Sequence, residues 1–188
     1  MLTIYKKAEG RQGALKVYYD NTPESPRDWD NLGRMVCFHR RYNLGDDHNY
    51  RSSDYNSWAG IAEAIEKDYD VAVMLPLYLY DHSGITISTS PFSCPWDSGQ
   101  IGWIFATKED VRKEFGVKRI SKKMIERVEK ILLAEVEIYD KYLTGEVYGY
   151  ILENKEGEQV DSCWGFYSIE DMKEYIPEEY ESLIDEVA

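Results

Sequence analysis

The sequence has few of the residues and patterns on which recognisable sites are built. It contains three Cys, three His and six Pro in 188 residues. No two Cys have the C-x2-C spacing of a zinc site. The chain also has no Walker phosphate loop, no dinucleotide fingerprint and no G-x-S-x-G nucleophile turn. These absences exclude the common sequence signatures of zinc, nucleotide and α/β-hydrolase sites.

Long apolar runs are missing as well. No stretch approaches the roughly 20 apolar residues that a membrane span requires. The first residues, "MLTIYKKAEGRQGALKVYYD", are too polar to contain the apolar core of a signal peptide. With an odd number of Cys, the expectation is a soluble cytoplasmic protein with reduced thiols.

Negative charge is abundant and lies towards one end. The net charge is −13 at pH 7. Residues 126–188 hold 18 Asp and Glu against 5 Lys and Arg, whereas residues 1–125 hold 17 of each kind. This distribution fits a solubilising acidic face or a surface that meets a basic partner. Direct nucleic-acid binding is not favoured, although not excluded, because phosphate repulsion opposes the small basic patch within 101–125.

Hydrophobic periodicity predicts both strands and helices. Apolar residues at helical spacing predict helices over 55–69 and 121–145, and a capping box at Thr107 predicts a short helix that stops at Gly116. Residues 146–168 have the pattern of a hairpin, and an acidic helix broken at Pro177 is expected to follow it. Alternating or apolar segments predict strands over 14–20, 32–40, 70–81, 84–90 and 100–107.

These elements predict an α+β fold. Strand signals outnumber helices and hairpins dominate, so we expect a mostly antiparallel twisted sheet packed by one long helix and several shorter ones. The chain shows no repeats and no linker, and residues 1–188 are predicted to form a single domain. The segment 70–81 is apolar nearly throughout and predicts a strand buried on both faces. Pro76 indicates a bulge or an edge within it, because Pro cannot donate to a ladder.

The window 80–103, "YDHSGITISTSPFSCPWDSGQIGW", concentrates reactive and polar side chains. In one interpretation His82 and Cys94, together with His39 from another segment, form the pocket of a small hydrolase-like enzyme or ligand-binding protein. In the other, the window is a structured hairpin whose polar groups satisfy each other, with Trp96 and Trp103 filling the core. No metal or cofactor is predicted, because no standard spacing connects the candidate ligands Cys37, His39, His48, His82 and Cys94.

Two segments carry a resemblance to a known group of proteins. The stretches "WDNLGRMVCFHRRYNLGD" (29–46) and "LPLYLYDHSGITISTSPFSCPWDSGQIGWI" (75–104) resemble a family of small proteins, mostly of unassigned function, encoded by phages and other mobile elements of bacteria. The resemblance implies an anti-defence role in the bacterial cytoplasm, directed against a CRISPR effector or a restriction enzyme. It implies no catalytic residues.

Charge and resemblance together predict a binding protein rather than an enzyme. An acidic C-terminal face would occupy the basic nucleic-acid-binding surface of a host nuclease. The residues expected to form this face are Glu170, Asp171, Glu174, Glu178, Glu179 and Glu181.

Overall fold

The computed structural model of the protein describes residues 2–188 and has an α+β fold, as the sequence predicts. The helices are α1 (Trp58–Asp68), α2 (Lys108–Phe115), α3 (Lys122–Thr144) and α4 (Glu181–Val187). The strands are β1 (Ile4–Gly10), β2 (Gly13–Tyr19), β3 (Arg34–Cys37), β4 (Val71–Asp81), β5 (Ile85–Ser88), β6 (Ser98–Thr107), β7 (Tyr148–Asn154) and β8 (Gln159–Phe166). No helix within residues 2–188 has the length and hydrophobicity needed to cross a membrane.

The strands form two antiparallel sheets where the sequence predicted one. One sheet has the order β1-β2-β7-β8 and the other has the order β3-β6-β4-β5. The chain correspondingly divides into two compact units. Residues 1–25 and 141–188, from the two ends of the sequence, form what we call the outer unit, and residues 26–140, from its middle, form what we call the central unit. The formation of one domain by all 188 residues stays a prediction.

The outer unit packs its C-terminal segment onto one face of its sheet. In β2, Leu15 and Val17 alternate with half-buried side chains, and Leu15 lies opposite Leu152 of β7. Two 3-10 turns, Glu170–Glu174 and Glu178–Tyr180, precede α4. The apolar residues that this segment buries against the sheet are Ile169, Met172, Ile176, Tyr180, Leu183, Ile184 and Val187. Pro177 lies between the two 3-10 turns, so the predicted interruption is present, but the segment before it is a 3-10 turn and not the helix that the sequence predicted.

The central unit is built around β6, which pairs with both β3 and β4. Local signals explain its helices. The hydroxyl of Thr107 accepts from the backbone N–H of Asp110 to cap α2, and Gly116 ends this helix with a φ of 61°. Ser121 accepts from the N–H of Met124 at 3.3 Å at the start of α3, in agreement with the predicted long helix.

The prediction that residues 70–81 are buried on both faces is wrong. Only Val73, Leu77 and Leu79 are buried in β4, and its other side chains are half-buried. The edge indicated by Pro76 is confirmed. Strand β5 pairs with β4 only from Tyr78 onwards, so Pro76 lies where β4 has β6 as its only neighbour and needs no second ladder donor.

Candidate functional site

A buried ionic network holds the loops of the central unit. The Arg27 guanidinium donates to both carboxylate oxygens of Asp46 at 2.8 Å and lies 3.5 Å from Glu135 of α3. Glu135 also accepts from the backbone N–H groups of Leu32 and Gly33. The Arg27 side chain is only 6% exposed. This network fixes the segment before β3 and the loop after it against one helix.

The pKa values in the network follow from burial and charge. Burial alone would lower the pKa of Arg27, but the hydrogen bond and charge of Asp46 raise it above its ordinary value. Burial raises the pKa of Glu135, against the opposing effects of the Gly33 N–H and the Arg27 charge. Arg27 therefore stays ionised, and its positive charge compensates the carboxylates of both Asp46 and Glu135.

The loop between β3 and α1 carries the only side-chain N or O atom in residues 2–188 that is buried without a hydrogen-bond partner. His48 Nε2 lies 2.9 Å from the carbonyl oxygen of Cys37, to which it donates, and His48 Nδ1 has no partner. Native structures contain few such groups, and a water molecule or a ligand is one way in which they are satisfied. His48 was considered only as a metal ligand in the sequence.

An aromatic cavity of about 440 Å³ lies beside this loop. Its volume is within the usual range for small-molecule pockets. Tyr50 and Tyr55 come from the loop, Tyr69 follows α1, and Phe105 belongs to β6, 5.2 Å from the Tyr69 ring. The full lining is Arg34, Met35, Val36, Asp46, Asp47, His48, Asn49, Tyr50, Tyr55, Asp68, Tyr69 and Phe105.

Carboxylates dominate the free charge of this cavity. The Tyr50 hydroxyl donates to Asp68 at 2.9 Å. Burial, reinforced by that hydrogen bond, raises the pKa of Tyr50, so the phenol stays protonated and keeps orienting the carboxylate. The one cation, Arg34, is already paired with Asp110 at 2.8 Å and lies over the Tyr69 ring.

His82 and Cys94 lie close together in the structure, but both contact the carboxylate of Asp97 and not each other. His82 Nδ1 lies 3.1 Å from Asp97 Oδ2, and the Cys94 thiol donates towards the same oxygen at 3.8 Å. A nucleophilic cysteine site instead needs an imidazole within hydrogen-bond reach of the thiol, with a third group that orients the imidazole. This arrangement does not support the enzyme interpretation.

His39 lies beside the ion pair of Arg41 and Asp81. Its Nε2 lies 3.9 Å from Asp81 Oδ2, which also binds Arg41, and its ring stacks on Tyr42. Asp81, the last residue of β4, and His82, in the turn that follows, therefore engage different partners. The candidate residues His39 and His82 are thus distributed over two contacts rather than one pocket.

The two tryptophans of the window 80–103 have different environments. Trp103 is half-buried, and its indole N–H donates to the carbonyl oxygen of Trp58 at 3.2 Å. Trp96 is 92% exposed, so its predicted place in the core is wrong. Around it, the Ser98 hydroxyl donates to the Cys94 carbonyl. The window contains the end of β4, a turn, β5, a loop that presents the Trp96 indole to solvent, and the first part of β6.

The acidic residues singled out in the sequence lie on the outer unit. Glu170, Asp171, Glu174, Glu178 and Glu179 are exposed, and Glu181 is half-buried. The Ser168 hydroxyl donates to Glu170 at 2.7 Å and is the main reason why the pKa of Glu170 is lowered. The segment therefore turns its apolar side chains to the sheet and its carboxylates to solvent.

The three thiols differ in accessibility, which gives a testable prediction. Cys37 is buried, and this burial raises the pKa of its thiol to about 12. A raised pKa keeps the thiol protonated at about pH 8, where Cys94 and Cys163, both half-buried, remain open to reagent. We expect iodoacetamide to modify Cys94 and Cys163 in the native protein and Cys37 only in urea, as measured by mass spectrometry. A Cys37→Ala variant is the control and should gain no adduct on unfolding; rapid native labelling of Cys37 would contradict the prediction.

No group of three or more His, Cys, Asp or Glu in residues 2–188 is arranged to hold a metal ion. No family model, no curated protein and no solved structure matches this chain. The resemblance to phage-encoded proteins therefore stays a prediction. The aromatic cavity was not predicted, because residues 41–54 have the composition of a polar loop. The recurrence of Tyr at positions 50, 55 and 69 was the available signal.

Proposed function

We propose that this protein is an anti-defence inhibitor encoded by a phage or mobile element. Its acidic C-terminal surface, Glu170, Asp171, Glu174, Glu178, Glu179 and Glu181, occupies a basic nucleic-acid-binding surface of a host nuclease of the CRISPR or restriction type. The observation that supports this proposal is the excess of negatively charged residues in the outer unit. Residues 1–25 and 141–188 hold 16 Asp and Glu against 7 Lys and Arg.

The construction of the acidic surface also favours a binding role. Only one cation lies within residues 169–188, Lys173, and it is 3.4 Å from Asp185. The six carboxylates named above make no ion pair in residues 2–188, and the five that are exposed are available to an incoming cationic surface. Exposed charges of one sign steer a partner of opposite sign and raise its association rate, and this effect weakens with salt.

The first experiment is phage plaquing on bacteria that express the protein beside a panel of defence systems, with CRISPR nucleases and restriction enzymes included. Restored plaquing against one system would identify the partner. The absence of rescue across the panel would count against the inhibitor proposal.

The acidic surface is then tested by neutralising its six carboxylates to Gln or Asn. We expect the affinity for the identified nuclease to fall about 100-fold and to depend less on salt, because several long-range attractions are lost together. Surface plasmon resonance at two ionic strengths measures both effects. The matched control neutralises six exposed acids of the central unit, Glu63, Glu66, Glu109, Glu114, Glu126 and Glu129. Equal losses in the two variants would show that the acidic surface has no specific role.

A further inference from the structure

We propose that the aromatic cavity of the central unit binds an organic cation, a guanidinium or ammonium group on a short apolar stem. This inference is independent of the anti-defence proposal, since it concerns other residues and another kind of ligand. It rests on the cavity's walls, its free charge and its position at the end of a helix.

The walls have the chemistry that organic cations prefer. Tyr50, Tyr55 and Tyr69 are all half-buried and pack against the cluster that contains Phe105. The faces of aromatic rings attract cations through the ring quadrupole, and the same faces cover an apolar stem. A volume of about 440 Å³ accommodates a group of this size with room for water.

The free charge around the cavity is negative. Asp47 is exposed and makes no hydrogen bond or ion pair in residues 2–188, and Asp68 receives only the Tyr50 hydroxyl. Asp46, in contrast, is fully engaged by Arg27 and the Met35 N–H. Two carboxylates are therefore available to a ligand, while the only lining cation, Arg34, is paired with Asp110.

The end of α1 adds to this potential. Asp68 is the last residue of this helix, and Tyr69 is its C-cap. The carbonyl groups of a helix C-terminus carry partial negative charge, which favours a cation nearby and disfavours an anion such as phosphate. His48 belongs to the same lining, and in the neutral ring its unpartnered Nδ1 is a further acceptor.

Butylguanidinium is the probe that tests this proposal, and butylurea is its neutral analogue of nearly the same shape. We expect butylguanidinium to bind with a dissociation constant of about 1 mM, as suits so small a ligand, and butylurea to bind at least about tenfold more weakly. Titration followed by NMR should shift signals of Tyr50, Tyr55 and Tyr69. Equal binding of both compounds, or shifts confined to other residues, would overturn the proposal.

Substitutions of Asp47 and Asp68 test whether these two carboxylates attract the cation. Asp47→Asn, which removes no contact of the fold, should weaken butylguanidinium binding about threefold, and Asp47→Asn with Asp68→Asn about tenfold. A variant with Glu63→Gln and Glu129→Gln loses the same charge at exposed positions outside the lining and should bind as the native protein does. If both double variants weaken binding equally, the attraction is only the general negative charge of the protein and the site is wrong.

A guanidinium group reaches such a cavity either as a small molecule or as the side chain of a partner protein. The blocked peptide acetyl-Gly-Arg-Gly-amide distinguishes the two sources. Binding at least as tight as that of butylguanidinium supports an arginine side chain as the occupant. Exclusion of the peptide, with butylguanidinium still bound, supports a free small molecule. Failure of both compounds to bind at about 10 mM would refute the cavity's assignment, whatever the outcome of the plaquing experiment.

Discussion

Replacement of Arg27 by Met is expected to lower the free energy of unfolding by about 3–5 kcal/mol. The guanidinium is 6% exposed, and its partner Glu135 has a side chain that is only 12% exposed. Without Arg27, the carboxylates of Asp46 and Glu135 remain in the fold with no cation to compensate them. Urea unfolding, followed by both circular dichroism and tryptophan fluorescence, measures the loss.

Two further variants separate uncompensated charge from lost packing. Adding Asp46→Asn and Glu135→Gln to Arg27→Met removes the stranded charges, so we expect recovery of at least about half of the lost stability. Arg34→Met is the control, because Arg34 pairs with Asp110 but is 45% exposed, and its loss should cost about 1 kcal/mol or less. A cost for Arg27→Met no greater than that for Arg34→Met would show that the network contributes little.

The Arg27 network also connects stability to the proposed cation site. Asp46 is followed directly by Asp47, and the loop continues through His48 to Tyr50, all of which line the cavity. Since Arg27 fixes Asp46, Arg27→Met should loosen this loop as well as destabilise the fold. We therefore expect the shape of the cavity to depend on an ion pair of which one member, Asp46, belongs to the lining and the other, Arg27, does not.

Elements with local signals were predictable from the sequence. The capping residue Thr107 and the terminating Gly116 are adjacent in sequence to the helix α2 that they delimit. The start and end of this helix can therefore be predicted without knowledge of the rest of the fold. The same holds for the break at Pro177. The strand β1 was missed because its sequence, "IYKKAEG", has weak alternation and it lies at the edge of its sheet.

The candidate site was less predictable because its contacts are distant in the sequence. Helical spacing places Glu135 on the same face as Val128, Leu132 and Tyr139, but it does not identify a partner. That partner, Gly33, is 102 positions away in the sequence. His82 and Asp97 meet only because β4 and β6 are neighbours. The cavity joins a loop, a helix end and a strand, so its Tyr residues have no common periodicity.

A second large effect is expected for Gly102→Ala in β6. A Cβ added at Gly102 would overlap the carbonyl oxygen of Val36 and crowd the Cα of Cys37. Both obstructing atoms belong to the backbone of β3, which cannot move aside as a flexible side chain would. We expect a loss of about 3 kcal/mol, at the upper end of the cost of overpacking. Urea unfolding gives this value.

Gly99→Ala is a matched control on the same strand. A Cβ at Gly99 meets nothing within 4 Å, so this change should alter stability by about 0.5 kcal/mol or less. Hydrogen exchange adds a local measurement. Because β3 pairs only with β6 in its sheet, Gly102→Ala should expose the β3 amides selectively and leave those of β7 protected. Equal stability of the two variants would mean that β3 and β6 tolerate a wider separation, and that the close approach at Gly102 is not what positions Cys37 and the loop that follows it.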